Sequence, residues 1–215
     1  MTYTGDVTPA GPAAVRELSQ LRITKASVGP MDNNAYLLTC GSAQVLIDAA
    51  NDAPRLLELI GPAGLTTVVT THRHHDHVQA LAEVVKATGA GSLAHADDAP
   101  EIPVVTAELH DGDLIPVGDC ALEVIHVVGH TPGSIVLLYQ DPAGTAHLFT
   151  GDSLFPGGVG NTRGNKANFT SLLNDVEHKL FDRLPDDTWF YPGHGRDSTL
   201  GAERGSLAEW RTRGW

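Results

Sequence analysis

The sequence predicts a mixed α/β domain built as two sheets with helices packed outside them. Three observations carry this. Short β-branched and aliphatic runs recur between Gly/Pro-rich turns in both halves, each half also holds a segment with helical periodicity, and no linker divides the 215 residues. With 41% hydrophobic residues the chain can bury one sizeable core. Residues 1–20 read as an N-terminal arm and 21–215 as a single domain.

The elements follow in order. Thr8 to Ala14, rich in Pro, Gly and Ala, reads as an extended lead. Leu21 to Val28, Ala35 to Cys40 and Gln44 to Ala49 read as strands, broken by Gly29-Pro30 and Gly41-Ser42. Ala53 to Ile60 places Leu56, Leu57 and Ile60 on one helical face before the Gly61-Pro62 stop. Thr66 to Thr71 is a buried β-branched strand, and Val78 to Ala87 a helix that Gly89 closes. A loop-rich section follows. Leu114 to Val117, Ala121 to Val128, Ser134 to Tyr139 and Ala146 to Thr150 form a second strand series, with a hairpin turn over Asp141 to Gly144. Phe169 to Leu184 is helical, Thr188 to Tyr191 extended, and Ala202 to Arg213 a final helix.

Composition excludes whole classes of function. Fourteen basic against 26 acidic residues give a formal charge of −12, which repels a nucleic-acid backbone or an anionic membrane. Apolar runs such as Ile135 to Leu138 fall far short of the roughly 20 residues of a membrane span. Arg16 and Glu17 stand where an export signal would be apolar, so a cytoplasmic location is expected. Cys40 and Cys120 each lie in an apolar strand-like run and are expected to be separate buried thiols.

Eleven histidines against four lysines are the anomaly of this composition. Four of them crowd into His72-Arg73-His74-His75-Asp76-His77, directly after the strand Thr66 to Thr71. Burying so many ring nitrogens without partners costs about 1–3 kcal/mol each, and a metal is the simplest partner for imidazoles beside a carboxylate. His130, Asp152 and His194 each follow an apolar strand and sit beside a glycine, where a rigid strand hands over to a loop that can approach a ligand closely.

The motifs H-x-H-x-D-H at 72–77, G-H-T-P-G-S at 129–134, T-G-D at 150–152 and P-G-H-G at 192–195 resemble the metallo-β-lactamase-fold hydrolases, over about residues 21 to 205. The resemblance implies an αββα four-layer sandwich with metals at one end of its two sheets. It also implies two divalent ions, zinc first and iron or manganese as alternatives. His72, His74 and His130 would hold one, Asp76, His77 and His194 the other, with Asp152 bridging; Asp76 and Asp152 would be the catalytic carboxylates. His75 fills the variable position of the motif, and Asp48 matches an aspartate that orients a metal-loop histidine. His95, His110, His126, His147 and His178 have no matching context and read as surface or packing residues.

The T-G-D-S-L-F run and the glycine-rich loop Gly157 to Gly164 look most like the glyoxalase II (hydroxyacylglutathione hydrolase) branch. This implies cleavage of a thioester of a small thiol by a hydroxide shared between the ions. Only 21 residues follow His194, so the helical glutathione-binding extension of full-length members is not expected. Two alternatives stay open: a persulfide dioxygenase with one Fe(II) on His72, His130 and Asp152, and a lactone hydrolase. Arg163 and Lys166 in the glycine-rich loop, or Arg73 and Arg196 beside ligands, would meet a substrate anion. A small-molecule substrate and a monomer or homodimer complete the expectation.

Overall fold

The computed structural model describes residues 3–214; Met1 and Thr2 of the predicted arm and Trp215 of the predicted domain lie outside the described residues. The first sheet takes its strands in chain order: β1 (Ala14–Glu17), β2 (Arg22–Val28), β3 (Asn33–Cys40), β4 (Ala43–Ile47), β5 (Thr67–Val69), β6 (Gly91–His95) and β7 (Ala107–Leu109). It is antiparallel from β1 to β4 and parallel from β4 to β7. The other strands are β8 (Leu114–Val117), β9 (Cys120–His126), β10 (Ile135–Gln140), β11 (Ala146–Gly151), a small β12 (Leu154–Phe155) and β13 (Gly158–Val159) ribbon, β14 (Trp189–Pro192) and β15 (Ser198–Thr199). They form the second sheet in the order β15-β14-β11-β10-β9-β8, with β12 and β13 paired apart from it.

Strand alternation explains the layers. On β3, Tyr36 and Leu38 face the second sheet, where they share a core with Val124, Leu137, Phe149 and Tyr191. Leu37, on the opposite face, packs with Leu56 of α1 (Ala53–Ile60) and Leu81 and Val84 of α2 (Leu81–Thr88). On β10, Val136 and Leu138 point outward to Leu172 and Val176 of α3 (Lys166–Val176), and Trp210 of α5 (Leu207–Arg213) joins them, with α4 (Leu200–Arg204) just before it. Helix, sheet, sheet, helix is the αββα sandwich the motifs imply. Both faces of each sheet are covered, so its strands read as near-continuous apolar runs.

The structure departs from the sequence reading in five places. Ala14–Glu17, within the segment read as an arm, pairs with β2 as an edge strand. The stretch read as loop holds β6 and β7, whose sequences GSLAH and AEL lack β-branched residues; their pairing beside β5 makes them strands. The α-helix after residue 165 ends at Val176 and continues as a π-helical turn, Glu177–Phe181. The C-terminal helix is two short ones. The expectation of two separate thiols is corrected: Cys40, at the end of β3, and Cys120, at the start of β9, form a disulfide, because packing the sheets brings their Cα atoms to 6.3 Å across 80 residues of sequence. No described helix is long and apolar enough to cross a membrane.

Candidate metal centre

Seven predicted ligands meet where the strands of both sheets end. His72, His74, Asp76 and His77 follow β5, and His75–His77 form one 3-10 turn before α2. His130 lies between β9 and β10, Asp152 just beyond β11, and His194 just beyond β14. Potential ligand atoms of three groups lie within 4.8 Å of one another: His72, His74 and His130; Asp76, His77 and His194; and His72, His77 and Asp152. His75 is exposed and belongs to none of these groups, though it lines the pocket that opens over them.

The distances test whether an ion fits. His77 Nε2 and His194 Nε2 are 3.2 Å apart, and Asp76 Oδ2 is 3.3 Å from His194 Nε2 and 3.6 Å from His77 Nε2. Asp152 adds edges of 3.4 Å to His77 and 3.5 Å to His194. A tetrahedron with ligands about 2.0–2.1 Å from its centre has edges of about 3.3–3.4 Å, so Asp76, His77 and His194 have the spacing of three of its corners, with Asp152 meeting His77 through Oδ1 and His194 through Oδ2. On the other side Asp152 Oδ2 stands 3.6 Å from His130 Nε2 and 4.0 Å from His72 Nε2. Those two nitrogens are buried and find no hydrogen-bond partner among the described residues, and a divalent ion would supply the missing partner.

The outward ring nitrogens explain why the inward ones are free. His77 Nδ1 donates to Asp48 Oδ2 at 2.9 Å, His130 Nδ1 to the Asn161 carbonyl at 2.9 Å, and His194 Nδ1 to the Met31 carbonyl at 2.9 Å. His72 Nδ1 donates at 3.1 Å to the Thr71 hydroxyl, which itself donates to Asp48. Each such bond places the lone pair on Nε2, facing the centre. Asp48 thus orients two rings, one directly and one through Thr71. The backbone also approaches closely: a Cβ on Gly193 would collide with Asp152 Oδ1 and His77 Cε1, so only glycine fits there.

Electrostatics divide the predicted ligands. Burial holds His72 and His74 below the ordinary imidazole range and His130 down at about 4, so these rings are neutral donors. Burial works against a charge on Asp152, yet His77 and His194 outweigh it and hold the carboxyl well below its usual range. Burial likewise opposes a proton on His77, but Asp152 and Asp48 on either side push its pKa up to about 10. The ordinary imidazole value is about 6.5. Any stability this proton contributes to metal-stripped protein is therefore complete below about pH 6.5 and lost as the pH rises through about 10. A metal must displace that proton. Zinc added to chelator-stripped protein at about pH 8 is expected to release at least about one proton, that of His77, read from how the calorimetric heat varies with buffer ionisation enthalpy. Binding without proton release would contradict this arrangement.

Several supports were not anticipated from sequence. Asp98, fully buried, accepts from Arg73 N–H at 3.0 Å, the Thr131 hydroxyl at 2.6 Å and Gly133 N–H at 2.9 Å, tying the His72–His77 loop to the His130 loop. Asn33 Nδ2 donates to Asp76 Oδ2 at 2.9 Å. Buried Lys25 donates to the Gly195 carbonyl at 2.8 Å and pairs with Asp197 at 2.6 Å, anchoring the loop of His194. A cavity of about 310 Å³ opens beside His74 and His130, walled by Arg73, Thr131, Arg163 and Asn168. Arg163 reaches 3.4 Å from His74 Nε2, whereas Lys166 is exposed on the first turn of α3 and does not line the cavity.

Comparisons with known proteins agree with this geometry. A family model described as the metallo-beta-lactamase superfamily matches residues 28–194. The hydroxyacylglutathione hydrolase of Fuscovulum blasticum is 36% identical over 167 residues, covering 76% of this chain and 62% of that protein. This chain therefore spans about three-fifths of the length of that relative. Among solved structures, ETHE1 from Myxococcus xanthus superposes with a TM-score of 0.77 at 26% identity, over 88% of this chain and 84% of that one. TTHA1623 in a di-iron-bound form superposes with a TM-score of 0.72 at 31% identity, over 84% of this chain and 96% of that one.

Proposed function

Because the chain belongs to the metallo-beta-lactamase superfamily, we propose that it is a two-metal hydrolase cleaving a thioester of a small thiol, with zinc as its ions. The observation that carries this reading is a pair of histidine-rich donor sets sharing Asp152, with His74, Asp76, His130, Asp152 and His194 lining one pocket beside Arg163. When bound, two such ions lower the pKa of a shared water toward about 7 and polarise the substrate carbonyl. His72, His74 and His130 would hold one ion and Asp76, His77 and His194 the other, with Asp152 joining both. Asp76 and Asp152 supply the negative charge that offsets the ions, and the outward hydrogen bonds of the histidines keep their donor atoms aimed without rearrangement.

The pocket favours a leaving group that needs no proton. Over the centre itself, the carboxylates lining the pocket, Asp76 and Asp152, and the histidines His74, His130 and His194 belong to the donor sets, which leaves exposed His75 as its one further imidazole among the described residues. A thiol of pKa about 8.5 can leave as thiolate, whereas an amine needs a general acid. Arg163 makes no ion pair among the described residues and faces this pocket, placed to meet an anionic group of the substrate. Its backbone is left-handed at φ 54°, a conformation asparagine tolerates. Arg163→Asn is expected to raise KM about tenfold, with kcat changed less than about threefold, the loss of one charged hydrogen bond. Steady-state kinetics on the best thioester checks it; an unchanged KM removes Arg163 from the substrate site.

A second reading rests on His72, His130 and Asp152, which would make the two-histidine, one-carboxylate set of an Fe(II) oxygenase. It leaves Asp76, His77 and His194 without a purpose. Metal analysis and two assays separate the readings. Thiol release from acyl-thioesters by protein holding about two zinc ions supports the hydrolase; oxygen uptake with a persulfide by protein holding about one iron supports the dioxygenase. Ring opening of a lactone with no thioester cleavage would redirect the substrate assignment.

A further inference from the structure

The two carboxylates of the centre are held very differently. Asp152 stands among four histidines and keeps 12% of its side-chain surface exposed, whereas Asp76 meets only His77 and His194 and keeps 21%. A half-open aspartate can swing its carboxylate out into water, and keeping it inward costs side-chain entropy. Apart from the histidines of the centre, one described side chain bonds to it.

That side chain is Asn33, the first residue of β3, which is buried and whose backbone forms an isolated β-bridge with His194. Its Nδ2 donates to Asp76 twice, to Oδ2 at 2.9 Å and to the main-chain carbonyl at 3.2 Å. An amide nitrogen has two hydrogens, and these two acceptors use both. His194 Nε2, 3.5 Å from the same nitrogen, therefore receives none and keeps its lone pair. The pairing also decides which end of the amide faces inward, because Oδ1 turned toward the carboxylate would set two acceptors against each other. Asp76 Oδ2, the oxygen that Asn33 holds, is the one that faces His194 Nε2 at 3.3 Å and His77 Nε2 at 3.6 Å.

We propose that Asn33 is the positioning residue of the second ion. By pinning both the carboxylate and the backbone of Asp76 it governs the filling of the set Asp76, His77 and His194, while the set His72, His74 and His130, to which it makes no hydrogen bond, fills without it. The proposal rests on the two-metal reading. An amide suits the task better than a cation would. A neutral N–H holds the carboxylate without neutralising it, so the oxygen still binds a metal, whereas a lysine or arginine would compete with the ion for the same charge. Without Asn33 the Asp76 side chain is released, and the second ion loses the only carboxylate it does not share.

The test is stepwise zinc binding to untagged, chelator-stripped protein by competition with a chromophoric chelator, together with the visible absorption of the cobalt-substituted protein as each ion enters. Asn33→Leu keeps about the same side-chain volume and removes the donor; Asn33→Ala removes both. Each variant is expected to bind the first ion as wild type does and the second at least about tenfold more weakly, with an altered cobalt spectrum in the second step only. Circular dichroism checks that both are folded, and if the alanine variant is not, the leucine variant decides alone. A leucine variant that binds both ions like wild type would mean that Asn33 only fills space, and equal weakening of both ions would mean that it only supports the fold; either overturns the proposal. Wild type that takes up a single ion overturns the two-metal reading and this proposal with it, so the two failures are distinguishable.

Discussion

Asp152→Asn is expected to lower kcat/KM by at least about 10³-fold and to leave the protein short of metal. The carboxylate stands within 4.0 Å of the Nε2 atoms of His72, His77, His130 and His194, so no other described side chain touches both donor sets in this way. Asparagine keeps the shape but removes the charge and turns one oxygen into an N–H donor aimed at nitrogen lone pairs. Losing a shared ligand forfeits several kcal/mol of charge stabilisation, and each 1.36 kcal/mol is a factor of ten in rate. Metal per chain, kinetics and circular dichroism on the same preparation check the result. A variant that keeps its metal and its activity to within about tenfold would show that Asp152 does not join the two sites.

The second large effect is on stability. Asp98→Ala is expected to destabilise the metal-loaded protein by about 3–5 kcal/mol, the usual cost of breaking a buried, hydrogen-bonded charge. Removing the carboxylate leaves two backbone N–H groups and the Thr131 hydroxyl without their acceptor, and takes the buried partner from the Arg73 guanidinium at 3.7 Å. For a domain of this size each kcal/mol shifts Tm by about 2–4 °C, so a fall of roughly 10 °C is expected. Asp98→Asn retains one acceptor oxygen and is expected to fall in between. Differential scanning calorimetry with saturating zinc measures it, and metal affinity should weaken in the same order because two ligand loops lose their tie. A melting temperature for the alanine variant within about 2 °C of wild type would mean that the loops hold their places without Asp98.

Asp98 also shows where reading the sequence stops. It lies between β6 and β7, in a stretch whose small and polar residues look like loop, and nothing in Asp97-Asp98 marks one carboxylate as buried and the other as exposed. The supports of His130 and His194 are backbone carbonyls of Asn161 and Met31, a group every residue carries, so no residue type could announce them. Asp48 was legible because it ends a strand at a position that resembles the family, and the structure places it on His77 and Thr71.

By itself the sequence determined the local facts: which runs alternate, where glycine and proline break them, and which imidazoles and carboxylates stand together after a strand. Those follow from short-range sterics and from the cost of burying unpaired polar groups. The H-x-H-x-D-H run carries four donors on one loop, so most of the centre was written in consecutive residues. Only the tertiary structure decided what depends on two sheets packing face to face: the bond between Cys40 and Cys120, the Asp98 tie, the burial of Lys25 against Asp197, and the meeting of His95 with His126. Each joins segments far apart in the chain, and their approach is set by the shape of the shared core rather than by any preference of the residues themselves.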